Sequence, residues 1–164
     1  MIFTTKAEYG VRLLVELGRQ ERSAPVSLKV IAEAEALPLA YLERIVALLK
    51  RAGLVESTRG AHGGYRLARP AAEIRMDDAV LALEGVVAPM SCFVDDRVDG
   101  RVLCSHLDDG HHGCGTRLLW MRVQGGVVDA LRRTTLQELV DFAAREPQIA
   151  APVADGGRLP LRVA

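Results

Sequence analysis

No stretch of 18 or more consecutive apolar residues occurs in this 164-residue chain, and Met1-Ile2-Phe3-Thr4-Thr5-Lys6 lacks the layout of a signal peptide. A cytoplasmic location without a membrane partner is therefore expected. Cysteine is scarce as well: there are three, an odd number, with no CxxC pair. In a reducing compartment this argues against a disulfide framework and leaves metal binding, redox sensing or inert thiols. No Ser/His/Asp constellation and no phosphate loop leading into a helix is present either, so an enzyme is not expected, and a small thiol redox enzyme is what remains of that class. Net charge is also missing. Lys+Arg and Asp+Glu are both 21, so total charge argues neither for nor against a nucleic-acid partner.

Distribution says more than the total. Residues 1–75 hold 12 basic and 8 acidic side chains, whereas residues 76–164 hold 9 and 13. The basic excess falls on the half containing the most patterned stretch, Ser27 to Arg69. Ser27 suits the cap of a short helix with apolar positions Leu28, Ile31 and Ala34, and Leu37-Pro38 interrupts the pattern before a second helix. There Leu42, Ile45, Val46 and Leu49 share one face, leaving Ala40, Tyr41, Glu43, Arg44, Ala47, Lys50 and Arg51 for the others. Gly53 ends that helix. Leu54–Thr58 and Tyr65–Ala68 read as two short strands joined by Arg59-Gly60-Ala61-His62-Gly63-Gly64. A helix-turn-helix followed by a basic, glycine-rich hairpin is the layout of a winged helix-turn-helix, and its geometry suits double-stranded DNA.

Within that layout Tyr41, Glu43 and Arg44 open the second helix, the part that enters a groove most deeply. Arg44 has the donors for a guanine edge, or for phosphate alone, and Glu43 could accept from cytosine. Lys50 and Arg51 lie further along the helix, and Ser27 heads the helix before it. Arg59 and His62 occupy the hairpin tip, where Gly60, Gly63 and Gly64 are expected to let the backbone approach a duplex. These eight residues form the candidate DNA-binding set. Ala40 has no hydrogen bond to give.

The remaining chain reads more simply. Thr5-Lys6-Ala7-Glu8 has the form of a capping box opening a helix through Gly18, with Tyr9, Val11, Leu13, Leu14 and Leu17 as its apolar side. Met76 to Leu83 reads as a short helix stopped by Gly85, with Asp77 and Asp78 suiting its first turn. From Ala88 to Gly115 periodicity disappears, and Cys92, Cys104 and Cys114 gather with His106, His111 and His112 within 23 residues. The cysteines are separated by 11 and 9 intervening residues, wider than a compact zinc knuckle and suited to a loop around something larger than one ion. Zinc on three cysteines and a histidine, or unliganded thiols, are the alternatives. Thr116 to Arg133 should form one long helix with Trp120, Val123, Val127 and Leu131 on a stripe, serving a dimer interface or folding back on its own domain. Gly125-Gly126 there costs roughly 1 kcal/mol per glycine, so close approach of another helix would explain it. Thr135 and Glu138 form a second capping box, and from Pro147 onward the chain reads as a loose tail.

The run YLERIVALLKRAGLVESTRGAHGGYRLARP, with TTKAEYGVRLL before it, ALEGVVAPMSC after it, and a Trp and TTLQELV further on, resembles the Rrf2 family of bacterial transcription regulators over about residues 1 to 142. The resemblance implies a mainly α fold with a small β-hairpin wing: a winged helix-turn-helix plus a long dimerisation helix. It divides the chain into a DNA-binding domain (1–85), a cysteine-rich cluster-binding loop (86–115), the dimerisation and C-terminal helices (116–146) and a flexible tail (147–164). It implies a homodimer on an operator that senses redox, nitric oxide or iron-sulfur status through a 2Fe-2S or 4Fe-4S cluster on Cys92, Cys104 and Cys114. The fourth ligand would be Glu8 of the other subunit, or one of His106, His111 and His112. Relatives best known for cluster-assembly control have a histidine where this chain has Arg117. A cluster-free family regulator would answer instead to a metabolite, a partner protein or thiol oxidation.

Overall fold

The computed structural model describes residues 3–20, 24–60, 63–88 and 115–145. Cys92, Cys104, Cys114, His62, His106, His111, His112 and the tail lie outside the described residues. In chain order the elements are α1 (Thr5–Arg19), α2 (Leu28–Ala34), α3 (Leu39–Arg51), β1 (Val55–Thr58), β2 (Gly64–Leu67), a 3-10 turn (Ala71–Glu73), α4 (Met76–Glu84), α5 (Gly115–Arg133) and α6 (Leu136–Arg145).

Helix α1 is the post on which the rest is assembled. Its buried Leu13, Leu14 and Leu17 join one core with Ile31 of α2, Leu42, Ile45, Val46 and Leu49 of α3, Leu83 of α4 and Leu136 and Val140 of α6. Helix α4 crosses α1 at Gly10, where a Cβ would sit 2.3 Å from Leu83 Cδ1, so only glycine permits that crossing. Burial of these apolar side chains supplies the main driving force of folding, at roughly 25 cal/mol per Å² removed from water.

The start of α1 differs from the capping box expected of Thr5 and Glu8. Thr4 is the N-cap, its Oγ1 accepting from the Lys6 N–H at 3.2 Å. The carboxylate comes from α4: Glu84 Oε1 accepts from Thr4 N–H (3.2 Å), the Thr4 hydroxyl (2.6 Å) and Ala7 N–H (3.2 Å). Thr4 and Thr5 are equally able to cap, and the tertiary carboxylate decides between them. Glu8 is left exposed and takes no part in the cap. Glu84→Ala is expected to lower stability by about 1 kcal/mol, the usual size of a lost helix cap, and thermal unfolding checks it.

The expected turn between α2 and α3 is present, with Ser27 Oγ accepting from Val30 N–H at 3.3 Å and Ala36 at φ 51° carrying the chain out of α2. The hairpin pairs Val55 with Leu67, Glu56 with Arg66, Ser57 with Tyr65 and Thr58 with Gly64. Val55 and Leu67 are buried, which roots the wing in the core. Val26, just ahead of α2, exchanges two backbone hydrogen bonds with Tyr65 (2.9 and 2.8 Å) and so ties the wing to the chain entering α2. A Cβ on Gly64 would lie 2.5 Å from Val26 O, and one on Gly63 would lie 2.4 Å from Thr58 O. These two glycines therefore serve the closeness of the chain to itself. Gly60, at φ 116°, remains a tip glycine.

The beginning of α4 is a junction. Met76 N–H donates to Thr134 O (3.0 Å) and Leu136 N–H to Ile74 O (2.8 Å), joining α4 to the α5–α6 turn. Asp77, 5% exposed, is ion-paired with Arg75 and with Arg132 of α5, each at 3.4 Å. Asp78 pairs with Arg69, at the root of the wing, at 3.0 Å. The two aspartates expected to serve a helix dipole thus also join three segments. The box at α6 forms as expected: Glu138 Oε2 accepts from Thr135 N–H (2.6 Å) and hydroxyl (3.0 Å), and Glu138 N–H donates to Thr135 Oγ1 (3.3 Å).

Helix α5 has no buried residue. Trp120, Val123, Val127 and Leu131 are half-buried, and Gln124 Nε2 donates to Val87 O at 2.7 Å beyond the end of α4. Leu118, Leu119 and Met121 are more than half exposed. Nothing lies within 4 Å of where a Cβ on Gly125 or Gly126 would be, so nothing in the described part of this chain uses the room those glycines leave. Among the described residues no helix is long and apolar enough to cross a membrane.

Candidate nucleic-acid interface

Helix α3 has two faces with opposite duties. Leu42, Ile45, Val46 and Leu49 are buried, as their spacing demands. Ala40, Glu43, Arg44, Ala47, Lys50 and Arg51 are exposed. Tyr41 lies at the boundary, half-buried, its ring edge-on to Tyr9 of α1 with centroids 5.7 Å apart and planes at 90°.

The exposed face is braced on both flanks. Lys50 Nζ donates to Ser57 Oγ of β1 at 2.6 Å, fixing the far end of α3 to the wing. Arg66 pairs with Glu56 across the hairpin, in register. Arg12 of α1 pairs with Glu35 at the end of α2 at 2.8 Å, which sets α2 against α1. Recognition helix, preceding helix and wing are therefore held as one rigid piece.

Described arginines of the winged unit divide into two groups. Arg12, Arg19, Arg66, Arg69 and Arg75 have carboxylate partners; of the lysines, Lys29 pairs with Glu33 and Lys50 donates to Ser57. The side chains of Arg44, Arg51 and Arg59 make no hydrogen bond or ion pair among the described residues. Two of these three occupy the outer face of α3, and the third occupies the wing tip. Guanidinium groups held in solvent without a carboxylate are free to meet phosphate or base edges without first breaking an ion pair. Ser27 is exposed at the start of α2, its oxygen accepting from Val30 while its O–H remains a donor.

Some of the site was invisible in the pattern of residues. Ser57 as partner of Lys50 follows only from the register of the hairpin. Between α1 and α3 runs an open cleft of about 600 Å³, lined by Thr5, Tyr9, Pro38, Ala40, Tyr41 and Arg44. A neighbouring hollow of about 480 Å³ has Glu8, Val11, Val80 and Leu131 in its wall. Among the described residues no group of three or more His, Cys, Asp or Glu could hold a metal ion. The expected cysteine and histidine ligands lie outside them, and Cys114 directly precedes the first residue of α5.

The sequence profile of the Rrf2 family, described as iron-dependent transcriptional regulators, matches residues 3–142. Protein rrf2 of Nitratidesulfovibrio vulgaris is 33% identical over 154 residues, covering 94% of this chain and 97% of that protein. The structure of CymR, the global cysteine regulator of B. subtilis, is similar with a TM-score of 0.69 at 33% identity, over 87% of this chain and 98% of CymR. IscR of T. potens is similar with a TM-score of 0.70 at 31% identity, over 95% of this chain and 94% of that one.

Proposed function

Because this chain belongs to the Rrf2 family, and is a transcription regulator of winged-helix fold rather than an enzyme, we propose that it is a cytoplasmic homodimer whose affinity for operator DNA is set by an iron-sulfur cluster. The observation that carries the DNA half of this reading is the set of guanidinium groups of Arg44, Arg51 and Arg59, on α3 and the wing tip, that have no partner among the described residues. Helix α3 enters the major groove with Glu43 and Arg44 leading. Arg59 reaches phosphate or the minor groove, with Ser27, Tyr41, Lys50, Arg51 and His62 completing the contact surface. The outward side of α5, with Leu118, Leu119, Met121 and the uncovered Gly125-Gly126, supplies the apolar area a symmetric dimer needs.

The sensing half rests on donor chemistry. Three thiolates, Cys92, Cys104 and Cys114, immediately ahead of α5 suit a cluster and leave one ligand place. Glu8 fits that place as a cross-subunit carboxylate, since it is exposed and Glu84 has taken over the capping. His106, His111 and His112 are the other donors. A bound cluster would make this region responsive to redox state, nitric oxide or cluster supply. With the winged domain (1–85) before the cysteine-rich segment (86–115) in the chain and the dimerisation helix α5 directly after it, its state would shift the spacing of the two α3 helices. A coupling of about 1–3 kcal/mol changes occupancy roughly 5- to 150-fold.

Similarity to CymR, a global cysteine regulator, favours a second reading in which the chain is cluster-free and answers a metabolite, a partner protein or thiol oxidation. Anaerobic purification separates the two. The expected result is visible charge-transfer absorption with bound iron, abolished in Cys92→Ser, Cys104→Ser and Cys114→Ser and altered in its resonance Raman spectrum by Glu8→Ala. Colourless, iron-free protein that binds its operator at full strength would establish the cluster-free reading.

A further inference from the structure

We propose that the cleft between α1 and α3 binds a backbone phosphate of duplex DNA, with Arg44 as its cation and the hydroxyls of Thr5, Tyr9 and Tyr41 as hydrogen-bond donors. This rests on the DNA-binding reading above and adds α1 to the contact surface.

The geometry of α3 separates its exposed side chains into flanks. Lys50 leans to the wing, where it holds Ser57, and Glu43, seven residues earlier, shares that flank by helical spacing. Tyr41 and Arg44 lie on the opposite flank and line the cleft with Thr5 and Tyr9 of α1. Between the flanks are Ala40 and Ala47, whose methyl groups let the helix axis come close to a groove floor. With the helix seated on those alanines, the strand bordering the groove passes over the α1 flank, and Arg44 meets the backbone before it meets a base edge.

The cleft wall has the right chemistry for phosphate. It presents one guanidinium and three hydroxyls and no carboxylate. Arg44 has no partner among the described residues to give up. The edge-on packing of Tyr9 against Tyr41 fixes both rings, so their hydroxyls are positioned before binding. Glu8 lines the neighbouring hollow rather than this cleft, and Glu43 is on the wing side. The amides of Lys6, Ala7 and Glu8 in the first turn of α1 are no part of the site, because Thr4 and Glu84 already occupy them.

The test uses the full chain and two labelled duplexes, one selected by the protein from a random pool and one scrambled sequence of equal length. Arg44→Gln is expected to weaken both by the same factor, roughly 10-fold, and to lower the slope of log K against log salt by about 0.9, the signature of one lost phosphate contact. Tyr9→Phe, which keeps the ring packing, should weaken both about 3- to 10-fold with the slope unchanged. Uncharged methylphosphonate linkages scanned along the selected duplex should reveal one position per half-site at which wild type and Arg44→Gln bind alike. A changed base preference in Arg44→Gln at constant salt slope would overturn the proposal and make Arg44 a base reader. Wild-type affinity in Tyr9→Phe, in protein with unchanged circular dichroism, would equally overturn it. Wild-type protein that shifts neither duplex at low salt would bring down the DNA-binding reading beneath it instead.

Discussion

Leu42→Ala is expected to destabilise the chain by about 2–5 kcal/mol, measured as a lower denaturation midpoint at unchanged denaturant slope. Leu42 is fully buried in the core that α3 shares with α1 and α2. Truncation removes its transfer free energy and leaves a cavity, because Leu13 and Leu14 are held by a helix that is itself packed on three sides and has little freedom to collapse inward. A small domain has about 5–15 kcal/mol of stability in total, so the variant should be partly unfolded at growth temperature. Any weakening of DNA binding should follow the unfolded fraction and disappear on cooling. A midpoint within experimental error of wild type would mean that α3 is not seated as described.

The complementary experiment is made about one and a half turns along the same helix, on its other face. Ala47→Glu should leave stability within about 0.5 kcal/mol of wild type, since the residue is exposed and bears only a weak repulsion from Glu43 one turn earlier. Its effect on DNA affinity should be roughly 100-fold or more, because a carboxylate set against phosphate in a docked groove costs several kcal/mol. Calorimetry and fluorescence anisotropy on one preparation give both numbers. Undiminished affinity would remove the outer face of α3 from the interface. The pair of variants thus separates the two duties of this helix: one removes the fold and spares the surface, the other does the reverse.

Which features were readable in the chain follows from how local their causes are. The four core positions of α3 were legible because a 3.6-residue period states a face outright, and the Thr135–Glu138 box because both partners sit within one turn. The wing was legible as two strands about one turn signal, displaced by a residue at each strand. The α1 cap was misread, because Thr4 and Thr5 are alike locally and the deciding carboxylate, Glu84, is far along the chain. Gly63 and Gly64 were read as room for a duplex, although the neighbour they admit is their own backbone at Thr58 and Val26. The junction of Asp77 with Arg75 and Arg132 was hidden in the same way, since a charge pattern shows which residues are acidic and not which cation arrives from another helix. For the candidate site, residue type pointed to Arg44 and Arg59, whereas their lack of partners among the described residues and the cleft beside Tyr9 emerge only in three dimensions.

The Glu84 cap has a consequence for the order in which this chain becomes structured. The Thr4 amide is held by an acceptor 80 positions away, whereas the Glu138 amide is held by a threonine three positions away. Deuterium should therefore be excluded early from the Glu138 amide as its helix begins to form, and from the Thr4 amide only once α4 has docked across α1. In a pulse-labelling time course the Thr4 proton becomes a clock for closure of the whole winged unit.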